Sequence, residues 1–419
     1  MPDWEINYSK KETGVKRVFK NMFSLFFLRG SLHFLHFITY PFLMRMLGVE
    51  RFGLVVFGQS IIMFFSIITD FGFNLSAVKE VSIKREDSKE VNEIFVSVFW
   101  VKLLLALFSL FFLLLLVNYF PKFKTEKLFF LLMYGYLVGY VLFPIWFFQG
   151  MEDMKYITYF NLLGRVVYTV LLFVFVRKPE HYILVPLFLS FSMILTGVSS
   201  FMLALKKYRL KLYFPRFSVL VNNWKKSFHF FLSNLFISML NYSNVIFLGL
   251  FLGNEAAGLY SMAEKIYQAL SSLYVPLNDA LYPYMAKFKN FSFFKKVFNF
   301  SFLLNLIFLF IVAVFSREII LIMYGKAYVE SIAVLRILSL SGAIWLPSLL
   351  IGYPLLGVTG KEKLVNNSII FASIIHIALL LTISNFATVT LVAMLFVFTQ
   401  IVILSIRLYG LHQIRDSLS

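Results

Sequence analysis

Residues Leu103 to Val117 read "LLLALFSLFFLLLLV", and apolar runs of this kind recur from one end of the chain to the other. A helix needs about 20 mostly apolar residues to cross a bilayer. Barrel strands would be about 10 residues long and would alternate apolar with polar side chains. These runs do not alternate. In hydrocarbon the backbone must satisfy its own hydrogen bonds, so such runs span as helices. The fold class expected is therefore an all-α membrane protein. Twelve candidate transmembrane helices fall near 21–44, 54–75, 94–117, 128–148, 157–176, 182–205, 228–252, 257–281, 297–315, 330–353, 364–383 and 387–406. The composition agrees: 60% of the 419 residues are hydrophobic, against about 45–50% apolar in soluble domains. The first twenty residues are polar and basic, and the run after them is longer than an h-region. No cleavable signal peptide is expected.

The chain carries a formal charge of +18, from 39 Lys and Arg against 21 Asp and Glu. In a soluble protein that excess would point to nucleic acid. Here the excess of positive charge in cytoplasmic loops explains it. With the N-terminus placed inside, the inner loops and tails hold twenty-five Lys and Arg and the outer loops nine. Both termini are then cytoplasmic, and no nucleic-acid partner is expected. The outer loop with Lys122, Lys124 and Lys127 runs against the trend. There is no cysteine, which excludes disulfides, thiolate metal sites and thiol catalysis.

A repeat organises the spans. "RMLGVERFGL" (Arg45 to Leu54) and "FLGNEAAGLY" (Phe251 to Tyr260) share a Leu-Gly-x-Glu-x-x-Gly-Leu string. Each copy falls in the first outer turn of a set of six spans. Six is even, so the two sets have the same orientation. The expected plan is two six-helix bundles related by a pseudo-twofold along the membrane normal, a plan known in secondary transporters. The boundaries read as a basic tail at 1–20, an N-terminal bundle at 21–205, a cytoplasmic linker at 206–227, a C-terminal bundle at 228–406 and a tail at 407–419. A cavity is expected between the bundles. Glycines 48, 53, 72, 150, 253 and 258 read as turns and close helix approaches.

Five cations fall within the expected spans: Arg29, Lys102, Arg165, Lys265 and Arg336. Each costs roughly 2.5–3.5 kcal/mol at a helix centre when uncompensated. Such groups face water, an acid or an anionic ligand. Arg29, Lys102 and Arg336 lie near enough to span ends to snorkel. Arg165 and Lys265 lie about two turns inside. The nearby acids are Asp70, Glu264 and Asp279, which are the candidates for ion coupling or gating. Glu264 and Lys265 are adjacent, about 100° apart on a helix, and do not simply face each other. The cationic surplus suits a ligand carrying phosphates, which arginine binds through a planar fork and lysine as a point charge. His33 and His36, one turn apart, read as a helix contact.

Several chemistries are absent. There is no G-x-x-x-x-G-K-[ST], H-E-x-x-H or G-x-S-x-G string. Neither a metal site nor a cofactor is expected. The outer loops, about 4–12 residues each, are poor ground for a catalytic domain.

"YPFLMRMLGVERFGLVVFGQSI", "TDFGFNLSAVKEVS", "PIWFFQGMEDMKY", "NEAAGLYSMAEKIYQ" and "YVESIAVLRILSL" together resemble the Wzx-type polysaccharide flippases of the multidrug/oligosaccharidyl-lipid/polysaccharide exporter superfamily. The family-like positions are Arg45, Gly48, Gly53, Asp70, Gly72, Asn74, Gln149, Gly150, Gly258, Tyr260 and Lys265. The resemblance implies alternating-access transport of undecaprenyl-diphosphate-linked oligosaccharides across the bacterial cytoplasmic membrane. It also implies a coupling ion, H+ or Na+, and a polysaccharide polymerase as a partner. A drug or metabolite exporter of the same superfamily, a peptidoglycan-precursor flippase, and a membrane polymerase or ligase stay as alternatives. A cation exporter should show an acidic interior, and an enzyme a large outer loop.

Overall fold

The structure is a computed structural model that describes residues 38–414. Among the described residues every regular element is helical. Ten of its segments are long and apolar enough to cross a membrane. The all-α membrane class expected from the apolar runs is the one found. Most of the expected first span, 21–44, with Arg29, His33 and His36, lies outside the described residues.

The helices are α1 (38–70), α2 (Phe73–Lys84), α3 (Ser88–Tyr119), α4 (Pro121–Thr125), α5 (Lys127–Leu142), α6 (Ile145–Gly150), α7 (Met154–Phe175) and α8 (Leu184–Lys207). They continue as α9 (Phe217–Phe251), α10 (Asn254–Ser272), α11 (Val275–Phe288), α12 (Phe291–Val314) and α13 (Ser316–Met323). The last three are α14 (Ser331–Leu350), α15 (Glu362–Thr382) and α16 (Val389–His412). Two compact units emerge. One is Phe42–Gly258, and the other holds residues 38–41 and 259–414 of those described.

In the unit Phe42–Gly258, α5 lies along α8 on small residues. A Cβ added at Gly139 would stand 2.3 Å from the Met193 carbonyl carbon, and one at Gly197 would stand 2.3 Å from the Gly139 oxygen. Dispersion and close backbone approach hold helices together where lipid offers no hydrophobic drive. Ser190 adds a hydrogen bond from Oγ to the Leu132 carbonyl at 2.6 Å. Pro144 separates α5 from α6, and the aromatic run Trp146, Phe147 and Phe148 that follows is buried with Phe95, Val81 and Ala204. The expected fourth span, 128–148, is thus two helices joined at a proline, which lacks the amide a continuing helix would use.

α9 begins at Phe217, about three turns before the expected seventh span. Its polar first turns are not solvated loop. Asn223 donates to Ser97 Oγ at 2.6 Å, Ser227 and Ser76 share a bond of 2.7 Å, and Lys226 reaches Glu80 at 2.8 Å. A polar helical segment is retained here because α2 and α3 satisfy it.

In the other unit, α12 and α16 pack on α14, and α15 packs on α16. Gly342 receives Leu309, and Asn305 donates to the Gly342 carbonyl at 3.1 Å. α14 ends in a π-helical turn, Ile351–Leu356, that contains Pro354 and a non-helical Gly352 at ψ −111. The expected eighth span, 257–281, is two helices that break at 273–274, just ahead of Pro276. Pro276 lacks the amide that a continuous helix would bond to the Ser272 carbonyl and sits instead in the first turn of α11, where no such amide is needed.

Candidate functional site

The unit Phe42–Gly258 holds Asp70, Lys102 and Arg165. α1 delivers Asp70 and α3 delivers Lys102, and the two meet: Nζ lies 3.2 Å from Oδ1, with side chains 8% and 2% exposed. Lys102 therefore does not snorkel. Its ammonium also sits 4.9 Å from the centre of the Tyr140 ring on α5. Asn74 on α2 donates to the Tyr140 hydroxyl at 3.3 Å, while its own Oδ1 is buried without a partner among the described residues. Taking two charges out of water costs several kcal/mol per ion, so a pair like this persists only with compensating contacts. Arg165 is half-buried on α7.

The chain turns sharply just past Asp70. Phe71 has φ 47 and Gly72 φ 80, both left-handed. A phenylalanine held there is strained, by roughly 1–3 kcal/mol. It is held by stacking against Phe231 at 4.5 Å and Trp224 at 5.3 Å, both on α9. A Cβ at Gly72 would meet Phe230 and the Phe231 amide at 2.7 Å. The buried ion pair, a strained turn and the start of α9 thus form one connected cluster.

Loops at this end of the unit are tied by charge. Lys84 pairs with Glu90, Arg85 with Glu152 at 2.5 Å, and Asp153 accepts from both Lys207 and Tyr208. Burial works against the Asp153 carboxylate, yet the bonds from Lys207 and Tyr208 outweigh it and hold the group below its ordinary value. At the opposite end Arg51 reaches Glu126 at 2.7 Å and covers the Tyr182 ring at 4.2 Å. Lys122, from the loop that ran against the charge trend, lies 5.0 Å from the Phe57 ring. Burial lowers its ammonium below the ordinary lysine value.

The other unit holds Glu264, Lys265, Asp279 and Arg336. Glu264 is buried on α10. Lys265, its neighbour, donates to Gln268 at 3.2 Å and lies 5.5 Å from the Tyr40 ring. Their surroundings differ as the 100° offset requires. Arg336 is exposed near the start of α14, and its Nε donates to Ser316 Oγ at 2.8 Å. Asp279 is half-buried on α11, and Asn278 donates to it at 3.5 Å.

One buried cation escaped the sequence reading. Arg407 was expected just past the last span, but α16 continues to His412 and Arg407 is 7% exposed. Nη1 donates to the Ser348 carbonyl at 2.6 Å and to Ser348 Oγ at 3.2 Å, and Nε donates to Ser368 Oγ at 3.2 Å. It pins α16 to the end of α14, beside the non-helical Gly352. The signal available was a pair of serines opposite an arginine inside apolar runs. His376, buried on α15 and bonded to Thr399 at 2.7 Å, was likewise not singled out.

This chain shares its all-helical fold with solved membrane transporters. Its backbone matches the solved lipid II flippase MurJ in an inward closed conformation with a TM-score of 0.76, over 93% of this chain and 87% of that one, at 14% identity. The inward-facing MATE family multidrug resistance transporter matches with a TM-score of 0.71, over 93% and 95%, at 13% identity. The MOP superfamily transporter from Pyrococcus furiosus matches with a TM-score of 0.60, over 97% and 96%, at 13% identity. At these identities the likeness is one of fold. The chain belongs to the family of polysaccharide biosynthesis proteins, whose sequence model matches residues 18–289. It is 27% identical over 368 residues to a protein of Shigella dysenteriae named as a candidate O-antigen transporter, covering 85% of this chain and 91% of that one. It is 28% identical over 268 residues to a protein of the same name in Escherichia coli (strain K12), covering 63% of this chain and 64% of that relative's length.

Proposed function

We propose that this protein is a flippase for undecaprenyl-diphosphate-linked oligosaccharide units, of O-antigen or another surface polysaccharide, in the bacterial cytoplasmic membrane. The observation that carries the reading is the alignment along 91% of a relative named as an O-antigen transporter. The charges within the spans agree with it: Lys102, Arg165, Lys265, Arg336 and Arg407 outnumber Asp70, Glu264 and Asp279. A diphosphate-sugar headgroup cannot cross hydrocarbon alone, because its charges and hydroxyls would lose water without replacement. A cationic, hydrated interior replaces that solvation, while the polyprenyl tail stays in lipid.

In this reading Lys102, Arg165, Lys265 and Arg336, with Arg29, contact the headgroup between two six-helix bundles that rock in alternating access. Twelve spans and cytoplasmic termini complete the plan. Asp70, Glu264 and Asp279 are the coupling candidates, for H+ or Na+. The Asp70–Lys102 pair suggests how coupling works. An ion that takes up the Asp70 charge leaves the Lys102 ammonium without its counter-charge. That cation is then offered to a phosphate. A polymerase acting on the delivered units is the natural partner. A cation exporter would need the opposite, a surplus of carboxylates within the spans.

The test is native mass spectrometry of the purified chain in mild detergent. The expected result is a bound mass matching a polyprenyl diphosphate with sugars, lost in Arg165→Gln/Lys265→Gln. A bound organic cation in its place would overturn the reading.

A further inference from the structure

Residues 206–217, "KKYRLKLYFPRF", join α8 to α9. Both flanking segments, Pro179–Lys207 and Phe217–Phe251, are long and apolar enough to cross a membrane. The nine residues between them join two such segments. Their composition alternates cations with aromatic and aliphatic side chains, and no acidic residue occurs between Glu180 and Glu255.

The segment is held in place rather than left as a loose loop. Arg209 is left-handed at φ 53, and the Leu210 amide returns to the Leu205 carbonyl at 3.0 Å, closing α8. Asn92 on α3 grips the Lys211 backbone at both ends, accepting from its amide at 2.7 Å and donating to its carbonyl at 3.2 Å. Trp100 donates from Nε1 to the Tyr213 carbonyl at 2.9 Å. These bonds use the main chain and leave side chains outward. Phe214 is 65% and Phe217 76% exposed. Lys206, Arg209, Lys211 and Arg216 are exposed, and no ion pair holds them among the described residues. The acids Glu80, Glu90, Glu152 and Asp153 at this end are engaged by Lys226, Lys84, Arg85 and Lys207 instead.

We infer that this strap is a docking surface for the anionic phospholipid headgroups of the surrounding leaflet. The cations take the phosphates, and Phe214 and Phe217 bury their rings at the boundary between headgroups and acyl chains. Because the strap is bonded to α3 and leads into α9, a headgroup bound there fixes the height of both helices in the bilayer. The inference does not depend on which lipid-linked sugar the protein carries.

The chain has no cysteine, so a single one can report on the strap. Full-length Phe217→Cys carries an environment-sensitive fluorophore in vesicles of phosphatidylcholine, with and without phosphatidylglycerol, and Leu212→Cys serves as a second reporter. The expected result is a blue shift and quenching by brominated lipid that grow with phosphatidylglycerol. In the Arg209→Gln/Lys211→Gln/Arg216→Gln background, about tenfold or more phosphatidylglycerol is needed for half of the change. Equal spectra in both vesicles at both reporters would overturn the proposal. So would a response to undecaprenyl diphosphate in phosphatidylcholine vesicles with none to phosphatidylglycerol, which would assign the strap to substrate.

Discussion

Gly53 and Gly258 lie against each other. A Cβ built on Gly258 would stand 3.2 Å from the Gly53 Cα, and one built on Gly53 would stand 1.7 Å from the Asn254 carbonyl oxygen. They are the matching glycines of the two Leu-Gly-x-Glu-x-x-Gly-Leu strings. The other matching pair, Gly48 and Gly253, shares a left-handed backbone at φ 75 and 102, with open space around both. One glycine of each string turns the chain and the other lets two backbones meet. Gly53→Ala must push a backbone carbonyl aside, so little folded protein is expected in detergent extracts. Gly48→Ala meets no atoms and costs about 1 kcal/mol of backbone strain. Size-exclusion profiles of the two variants check the contrast. Equal yields would contradict the close approach.

The Asp70–Lys102 pair predicts strong coupling between its members. Asp70→Asn or Lys102→Met alone leaves a buried charge without its partner, at a cost of about 3–5 kcal/mol. The double variant removes both charges and should be more stable than either single one. Thermal unfolding of all four proteins in one detergent measures this. Additive losses would show that the pair is not energetically coupled.

Arg407 should not tolerate lysine. The guanidinium serves a carbonyl and two hydroxyls on two helices at once, a fork that an ammonium cannot reproduce. Arg407→Lys is expected to lower the unfolding temperature and Arg407→Ala to lower it further, since each group left unpaired costs about 1–3 kcal/mol of stability. A lysine variant as stable as the parent would show that the charge alone suffices.

Asp153 gives a pH signature. Its carboxyl value is depressed in the folded chain, so its contribution is full at neutral pH and is lost as pH falls through the folded value. The stability advantage of the parent over Asp153→Asn should be full at pH 7, begin to fall near about pH 4, and be gone only below the depressed folded value. An advantage that persists unchanged in acid would assign it to packing instead.

The spans were legible because apolar runs of bilayer length leave the backbone no alternative to helix. The glycine turn and contact were legible because the same string occurs twice. Other features depended on partners far away in sequence. α9 starts early because Ser97, Ser76 and Glu80 satisfy Asn223, Ser227 and Lys226. A hydropathy ruler reads those same residues as loop. Arg407 was assigned to the tail because a run of apolar residues ends before it. Only the serines of α14 and α15 carry the helix on around it. Of the candidate charges, Asp70 and Lys102 were found together, a meeting no spacing along the chain announces.

The most direct test is transbilayer movement itself. Purified protein in vesicles, with an ion gradient imposed, is given an undecaprenyl-diphosphate-linked oligosaccharide whose sugar can be captured on the opposite face. The account predicts gradient-dependent delivery of the sugar, abolished in Arg165→Gln/Lys265→Gln protein that still folds and inserts. Folded parent protein that delivers no more than empty vesicles, or a double variant that transports normally, would contradict it.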